Sequence, residues 1–470
     1  MLFNSVEFAV FLPVAAIVYF ILQSGSKSRT PANLWLVIAS YFFYMYADAR
    51  YGLLLLAVTL VTFVSGHLMG HVIREDAAKK RLLALTVILL VGTLFFFKYA
   101  GLLSSLVSED EALDIILPVG ISFYIFQSLT YVFEIYRGSM EPESSFITYA
   151  AFSSFFPVLL SGPIERAPRL LPQFHEEHVF DYERIRHGLI RMAYGYFLKI
   201  VLASRLAIMV DLIYDSYMDA TGYQLFLGTC LYSLQIFCDF ASYSTIAIGT
   251  AEILGFTLTE NFRQPFFADS CSDLWRRWHI SLNSWFRDYV YIPLGGNRKG
   301  QARKYLNILI VFTLSGMWHG ADITFIIWGM LSGLFQIVED GIAPYRARFP
   351  KWLKISITFL LFTFAVCFFR ADDIGQAMTV IGRVFTAFDF ASILTTSPFA
   401  LGLGVFHFLF LLAGLAVLLV YDIINERTGD TAGKIASCKA PVRWTIYFVL
   451  VLMILGSTSI GAQEFIYFKF

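Results

Sequence analysis

Charge is what this sequence has least of. Of its 470 residues, 15% are Asp, Glu, Lys or Arg, where a soluble domain carries about 25%. So little polar surface cannot cover a water-soluble core of this size. Cysteine is scarce: Cys230, Cys238, Cys271, Cys367 and Cys438 are odd in number and form no CxxC pair. That pattern supports neither a disulfide framework nor a zinc site, and most of these thiols read as small core hydrophobes. Net charge is zero, with 35 basic against 35 acidic residues, which leaves no global field for nucleic acid. No internal repeat, low-complexity tract or domain linker is present. Walker, GxSxG, HExxH and Rossmann signatures are missing too, so ATP hydrolysis and zinc proteolysis lack support. What the chain does have is apolar mass: 57% hydrophobic residues, 48 Phe and a mean hydropathy of +0.66. The class this leaves is an all-α polytopic integral membrane protein.

A spanning helix needs ~20 largely apolar residues. Segments 5–23, 32–47, 51–69, 82–107, 115–136, 188–209, 223–254, 305–320, 322–338, 355–369, 402–422 and 444–460 qualify, which gives eleven or twelve spans in one membrane-embedded domain over 1–470. The first run, Val6 to Leu22, lacks a basic leader and a cleavage site, so it reads as an uncleaved span. Segment 146–164 is apolar but holds Pro157 and a Gly162-Pro163 pair; it reads as re-entrant or interfacial. Loops 24–31 and 70–81 are basic, whereas 108–114 and 210–221 carry only acidic charge. Basic loops stay cytoplasmic, so the expected topology is multi-pass in the cell (inner, cytoplasmic) membrane with the N-terminus outside. Segments 165–187 and 261–304 then face the cytoplasm.

The residues that can carry chemistry are few. His67 and His71, at i and i+4, read as interfacial polar groups without a third metal ligand. His175, His178 and His187 sit in a polar stretch that reads as a solvated loop, and His407 reads as a helix-packing histidine. His319 ends "FTLSGMWHG" between two apolar runs, flanked by Gly316 and Gly320, which would let the backbone kink and a substrate approach. Its imidazole suits a general base, and suits a helix-packing role equally well. His279 lies in "WRRWHISLNSWFRDYVYIPLGG", where Trp275, Trp278, Leu282 and Trp285 recur at helical spacing, predicting an amphipathic cytoplasmic helix. Arg276, Arg277 and Arg298 there fit either lipid anchoring or a mouth for an anionic ligand. The run 235–249 places Gln235, Asp239, Ser242, Tyr243, Ser244 and Thr245 at membrane depth, which implies a wet cavity or polar helix contacts.

Five stretches together resemble the membrane-bound O-acyltransferase family, bacterial polysaccharide branch. They are "SGPIERAPRLLPQF" (161–174), "QIFCDFASYSTIAIGTAEILGF" (235–256), "ENFRQPFFADS" (260–270), "LWRRWHISLNSWFRDYVYIPLGGNR" (274–298) and "SGMWHGADITFIIWG" (315–329). The opening "MLFNSVEFAVFLP" and closing "EFIYFKF" also fit, and the motif core spans roughly 115–340. The branch usually has Ser-Gly and Asp-Met where this chain has Ala241-Ser242 and Thr245-Ile246, a departure that bears on the acceptor. The resemblance implies a fold of eleven or twelve spans with re-entrant helices and an acyltransferase activity without bound cofactor or metal. The donor would be acetyl-CoA, another acyl-CoA, or a thioester on an acyl carrier protein. The acceptor would be a hydroxyl of an exported polysaccharide such as alginate, with peptidoglycan, cellulose or teichoic acid as alternatives. A serine-hydrolase-like extracytoplasmic partner is expected to receive the acyl group. His319 matches the family's catalytic histidine and His279 its second histidine. Arg276, Arg277, Asn283, Trp318 and Asp239 are candidates for donor contacts or for lining the conduit. A transporter or a scaffold of an export complex is the rival reading.

Overall fold

The computed structural model describes residues 1–470 except 26, 47, 108–116, 398–400, 458–464 and 466–470. The acidic loop 108–114 and all of the closing motif but Phe465 lie outside the described residues. Helices and their connections make up the described chain, with no strand among the described residues. By internal contacts it divides into two compact units: 1–192 with 243–260, and 193–242 with 261–470.

The first unit is built on α1 (Val6–Gly25), α2 (Thr30–Met45), α3 (Arg50–His67), α4 (Asp76–Val107), α5 (Ile121–Arg137), α6 (Phe146–Ser153) and most of α7 (Tyr182–Tyr196). Helix α1 shows how such a chain packs. Val6, Val10, Val14, Ile17 and Ile21 form an exposed stripe, while Phe8, Leu12, Ala15, Ala16 and Tyr19 are buried. Both faces are apolar because one meets protein and the other lipid. The stretch after α6 is broken, as Pro157 and Gly162 require, and it is buried throughout. Side chains supply what its backbone lacks: Gln127 Nε2 donates to Phe152 O (2.8 Å), and Phe156 N donates to Ser40 Oγ (3.1 Å). Helix α7 crosses the C-terminal part of α9 (Gly222–Leu254) at Gly188 and Gly249, where a Cβ on either residue would lie 2.7 or 2.5 Å from the other's carbonyl oxygen. Hydrocarbon solvent gives helices no hydrophobic reason to associate, so backbone contact of this kind supplies the packing.

The second unit holds α8 (Ser204–Asp215), the first part of α9, α10 (Cys271–Arg277), α11 (Ile280–Phe286), α12 (Gln301–His319), α13 (Ile323–Gly341), α14 (Lys351–Arg370), α15 (Ile374–Thr386), α16 (Val405–Thr428) and α17 (Ala440–Leu455). Among the described residues, seven helices are long and apolar enough to cross a membrane: α1, α3 with its extension to Val72, α4, α9, α13, α14 and α16. Over their described residues, the other expected spans are also mainly helical but shorter or more polar. Segment 188–209, for example, is α7, a π-helical turn over Phe197–Ala203, and α8.

Two expectations are corrected here. The tryptophan segment is not one amphipathic helix: it breaks between α10 and α11, and Trp275, Trp278, Leu282 and Trp285 are all buried in protein. Helical spacing survives the break because the two short helices share one buried side. Of the histidines of 175–187, His175 is exposed as a solvated loop requires, but His178 and His187 are not. His178 is buried, with Nδ1 2.7 Å from Tyr19 Oη, while His175 meets Glu143 and His187 meets Glu252, each at 2.7 Å.

Candidate active site

Helices α12 and α13 form a hairpin that places His319. A Cβ at Gly316 would lie 2.3 Å from Phe325 O, and one at Gly329 would lie 2.2 Å from Phe312 O. The backbones touch, so His319, one turn beyond Gly316, has a fixed position. The glycines therefore admit the neighbouring helix rather than a substrate; at Gly320 the close neighbour is the Phe325 ring. His319 is 5% exposed and sits among rings, with Trp328 at 5.0 Å, Phe369 at 5.4 Å and Trp318 at 4.9 Å between centroids.

His279 arrives from a different element. It occupies the break between α10 and α11 with φ of +44°, a left-handed conformation that costs a non-glycine residue roughly 1–2 kcal/mol. Strain of this kind persists where its surroundings over-determine it. Two backbone bonds clamp the break from the stretch 261–263: Arg263 N donates to Arg277 O (2.9 Å) and Ile280 N to Asn261 O (3.0 Å). Asn283 adds a third tie, donating from Nδ2 to Trp275 O (3.0 Å) and Trp278 O (2.6 Å), carbonyls that the end of α10 leaves over. Glu339 accepts from Cys271 N at the start of α10 and pairs with buried Arg346. His279 is 2% exposed, and its ring lies 4.6 Å from Phe240, 5.9 Å from Trp318 and 6.4 Å from His319. Burial pushes its pKa down to about 3, which keeps the imidazole neutral.

The chain thus brings two imidazoles, forty positions apart, to neighbouring places beside Trp318. A neutral imidazole can accept a proton at one nitrogen while donating at the other. Other expected contributors are placed differently. Asp239 forms a buried ion pair with Lys199 on the π-helical turn, a residue that no sequence motif singles out. Yet an ionisable group inside an apolar run is a signal in itself. Arg277 is committed to Asp273 and Glu426, both at 2.8 Å. Arg276 and Arg298 are exposed. Asn283 holds the break rather than lining open space. His67 and His71 are exposed, their rings 5.0 Å apart. Among the described residues no three His, Cys, Asp or Glu side chains converge as metal ligands.

Among the described residues, then, are seven apolar helices of membrane-crossing length and two adjacent buried imidazoles. The membrane-bound O-acyltransferase family profile matches residues 142–371, which contain both histidines. The chain is 34% identical to the probable alginate O-acetylase AlgI of Pseudomonas syringae over 456 residues, covering 94% of this chain and 86% of that protein. It is 35% identical to the peptidoglycan O-acetyltransferase of Helicobacter pylori, covering 81% and 79%. Its identity to the teichoic acid D-alanyltransferase of Bacillus subtilis is 25%, covering 78% and 96%. The chain belongs to the membrane-bound O-acyltransferase family and is a multi-pass membrane O-acyltransferase.

Proposed function

We propose that this enzyme moves an acyl group, most simply acetyl, from a cytoplasmic thioester to a hydroxyl outside the cell membrane. The carrying observation is the juxtaposition of His319 and His279, centroids 6.4 Å apart, inside the region matched by the family profile. A thioester is already activated, so the protein needs mainly to align it and take the acceptor's proton. In this reading His319 accepts that proton as the hydroxyl oxygen attacks the thioester carbonyl. The resulting oxyanion collapses, the C–S bond breaks, and the proton leaves with the thiolate. His279 serves the donor side, ordering the thioester or a water. Both rings are nearly covered, so this reading requires the surrounding side chains to part for donor and acceptor to reach them.

The donor is acetyl-CoA or an acylated carrier protein, with exposed Arg276 and Arg298 available to its phosphates. The acceptor is an exported polysaccharide, reached through a secreted serine-hydrolase-like protein. The relatives' names span alginate, peptidoglycan and teichoic acid, and what they share is a polymer beyond the cytoplasmic membrane. The proposed orientation is N-terminus outside, from the loop charges. Oriented proteoliposomes with radiolabelled acetyl-CoA on one side at a time test the reading. Label should reach the acceptor only when donor is supplied on the face of Lys79. Transfer from the opposite face, or from both equally, contradicts it.

A further inference from the structure

Asn261 lies in "ENFRQPFF", a stretch to which the reaction above assigns no task. Its side chain is buried, and its Oδ1 meets three atoms: Ser281 N at 3.2 Å, Ser281 Oγ at 2.9 Å and His279 Nδ1 at 3.2 Å. A backbone N–H only donates, so the carboxamide atom facing Ser281 N is the oxygen, not the nitrogen. That oxygen carries no hydrogen, so His279 Nδ1 must be the donor to it. A neutral imidazole bears a single N–H; with that hydrogen on Nδ1, Nε2 holds the lone pair.

We propose that Asn261 is the positioning residue for His279, holding the ring as its Nδ1–H tautomer and directing Nε2 to accept a proton or hydrogen bond during acyl transfer. The proposal rests on the reading that the two imidazoles carry the reaction. One backbone bond, Ile280 N to Asn261 O at 3.0 Å, ties the same residue to the strained break. Asn261 thus fixes both the left-handed main chain of His279 and the chemical face of its ring. A ring nitrogen oriented by a partner on the other nitrogen is a general device for giving imidazole one defined role.

The experiment uses the full chain in membranes of the source cells, with radiolabelled acetyl-CoA and label counted in polymer. Asn261→Ala should lower kcat at least tenfold, with KM for acetyl-CoA held within threefold. Asn261→Asp keeps an acceptor oxygen but adds a negative charge that favours the imidazolium. The titratable or charged groups on elements around the ring include His319, the Lys199–Asp239 pair, Arg263 beside Asn261, and Asp273, Arg276 and Arg277 on α10, none of which either variant alters. Asn261→Asp should therefore retain activity at alkaline pH and move the acid limb of the pH–rate profile up by at least one unit. Nitrogen NMR of histidine-labelled protein, with His279 assigned by difference against His279→Gln, reads the tautomer without activity. Wild-type protein should show hydrogen on Nδ1 of His279. Hydrogen on Nε2, wild-type kcat in Asn261→Ala, or an unmoved profile in Asn261→Asp overturns the proposal. Full activity of His279→Gln would instead overturn the catalytic reading itself.

Discussion

Gly316 and Gly329 offer the sharpest mechanical test of how the fold sets the chemistry. A methyl group at either position would meet backbone carbonyl oxygen at 2.3 or 2.2 Å. Neither oxygen belongs to a side chain that can rotate away, so α12 and α13 must part by roughly 1 Å to reach ordinary contact, an overpacking that costs about 1–3 kcal/mol. His319 lies one turn from Gly316 and moves with α12. A displacement near 1 Å at a reacting group costs on the order of 100-fold in rate. Gly316→Ala and Gly329→Ala should therefore reach the membrane and stay folded, unfold at lower temperature in detergent, and transfer acyl groups about 100-fold more slowly. Gly382 is the internal control: it lies within α15 and a Cβ there meets nothing within 4 Å. Gly382→Ala should keep full activity and gain about 0.4–1 kcal/mol in stability. Wild-type turnover in Gly316→Ala would show that hairpin contact does not position His319, and the reasoning would fail.

Other outcomes follow from named contacts. Burial, with Arg184 and Arg29 adding to it, pushes His178 down to about 4, against 6.5 in the unfolded chain. Between those values the unfolded chain binds more protons, so this group removes stability as pH falls from 6.5 to 4 and has no effect above; its share is at most about 3 kcal/mol. His178→Gln should flatten the decline of Tm over that window, and an unchanged slope contradicts the assignment. Lys199→Met strands buried Asp239 and should cost about 3–5 kcal/mol, while Lys199→Met with Asp239→Leu should recover most of it; thermal unfolding in detergent decides. Asn283→Ala frees the carbonyls of Trp275 and Trp278, a loss of about 1–3 kcal/mol. Its transfer rate should fall about tenfold, and an unaffected rate would mean that the break is held elsewhere.

The legibility of these features follows their physics. Membrane spans show because hydrocarbon demands long apolar runs, and the broken 146–164 stretch shows because Pro157 and Gly162 interrupt one. His319 and His279 stand out because ionisable groups are rare in such surroundings. Spacing could not reveal the break at His279, since it depends on side-chain and backbone bonds that periodicity does not encode: Asn261 reaches it from eighteen positions earlier and Asn283 bonds back to Trp275 and Trp278. The partner of Asp239 was equally hidden: Lys199 lies forty positions away on a π-helical turn, and only the fold brings the two together. Gly316 and Gly320 suggest room for substrate because sequence shows a missing side chain without showing that Phe325 fills the space. His178 does lie in a loop, but its burial is not legible in the sequence because it depends on Tyr19, far earlier in the chain.

The most direct measurement is the transfer rate of His319→Gln, a variant that keeps polarity and approximate size but removes the basic nitrogen. It should be made in proteoliposomes, with radiolabelled acetyl-CoA on the Lys79 face and acceptor on the other. General-base catalysis contributes about 100- to 10,000-fold, so the rate should fall at least 100-fold while the protein's Tm stays within a few degrees. A variant that transfers at the wild-type rate would show that this imidazole is not the base.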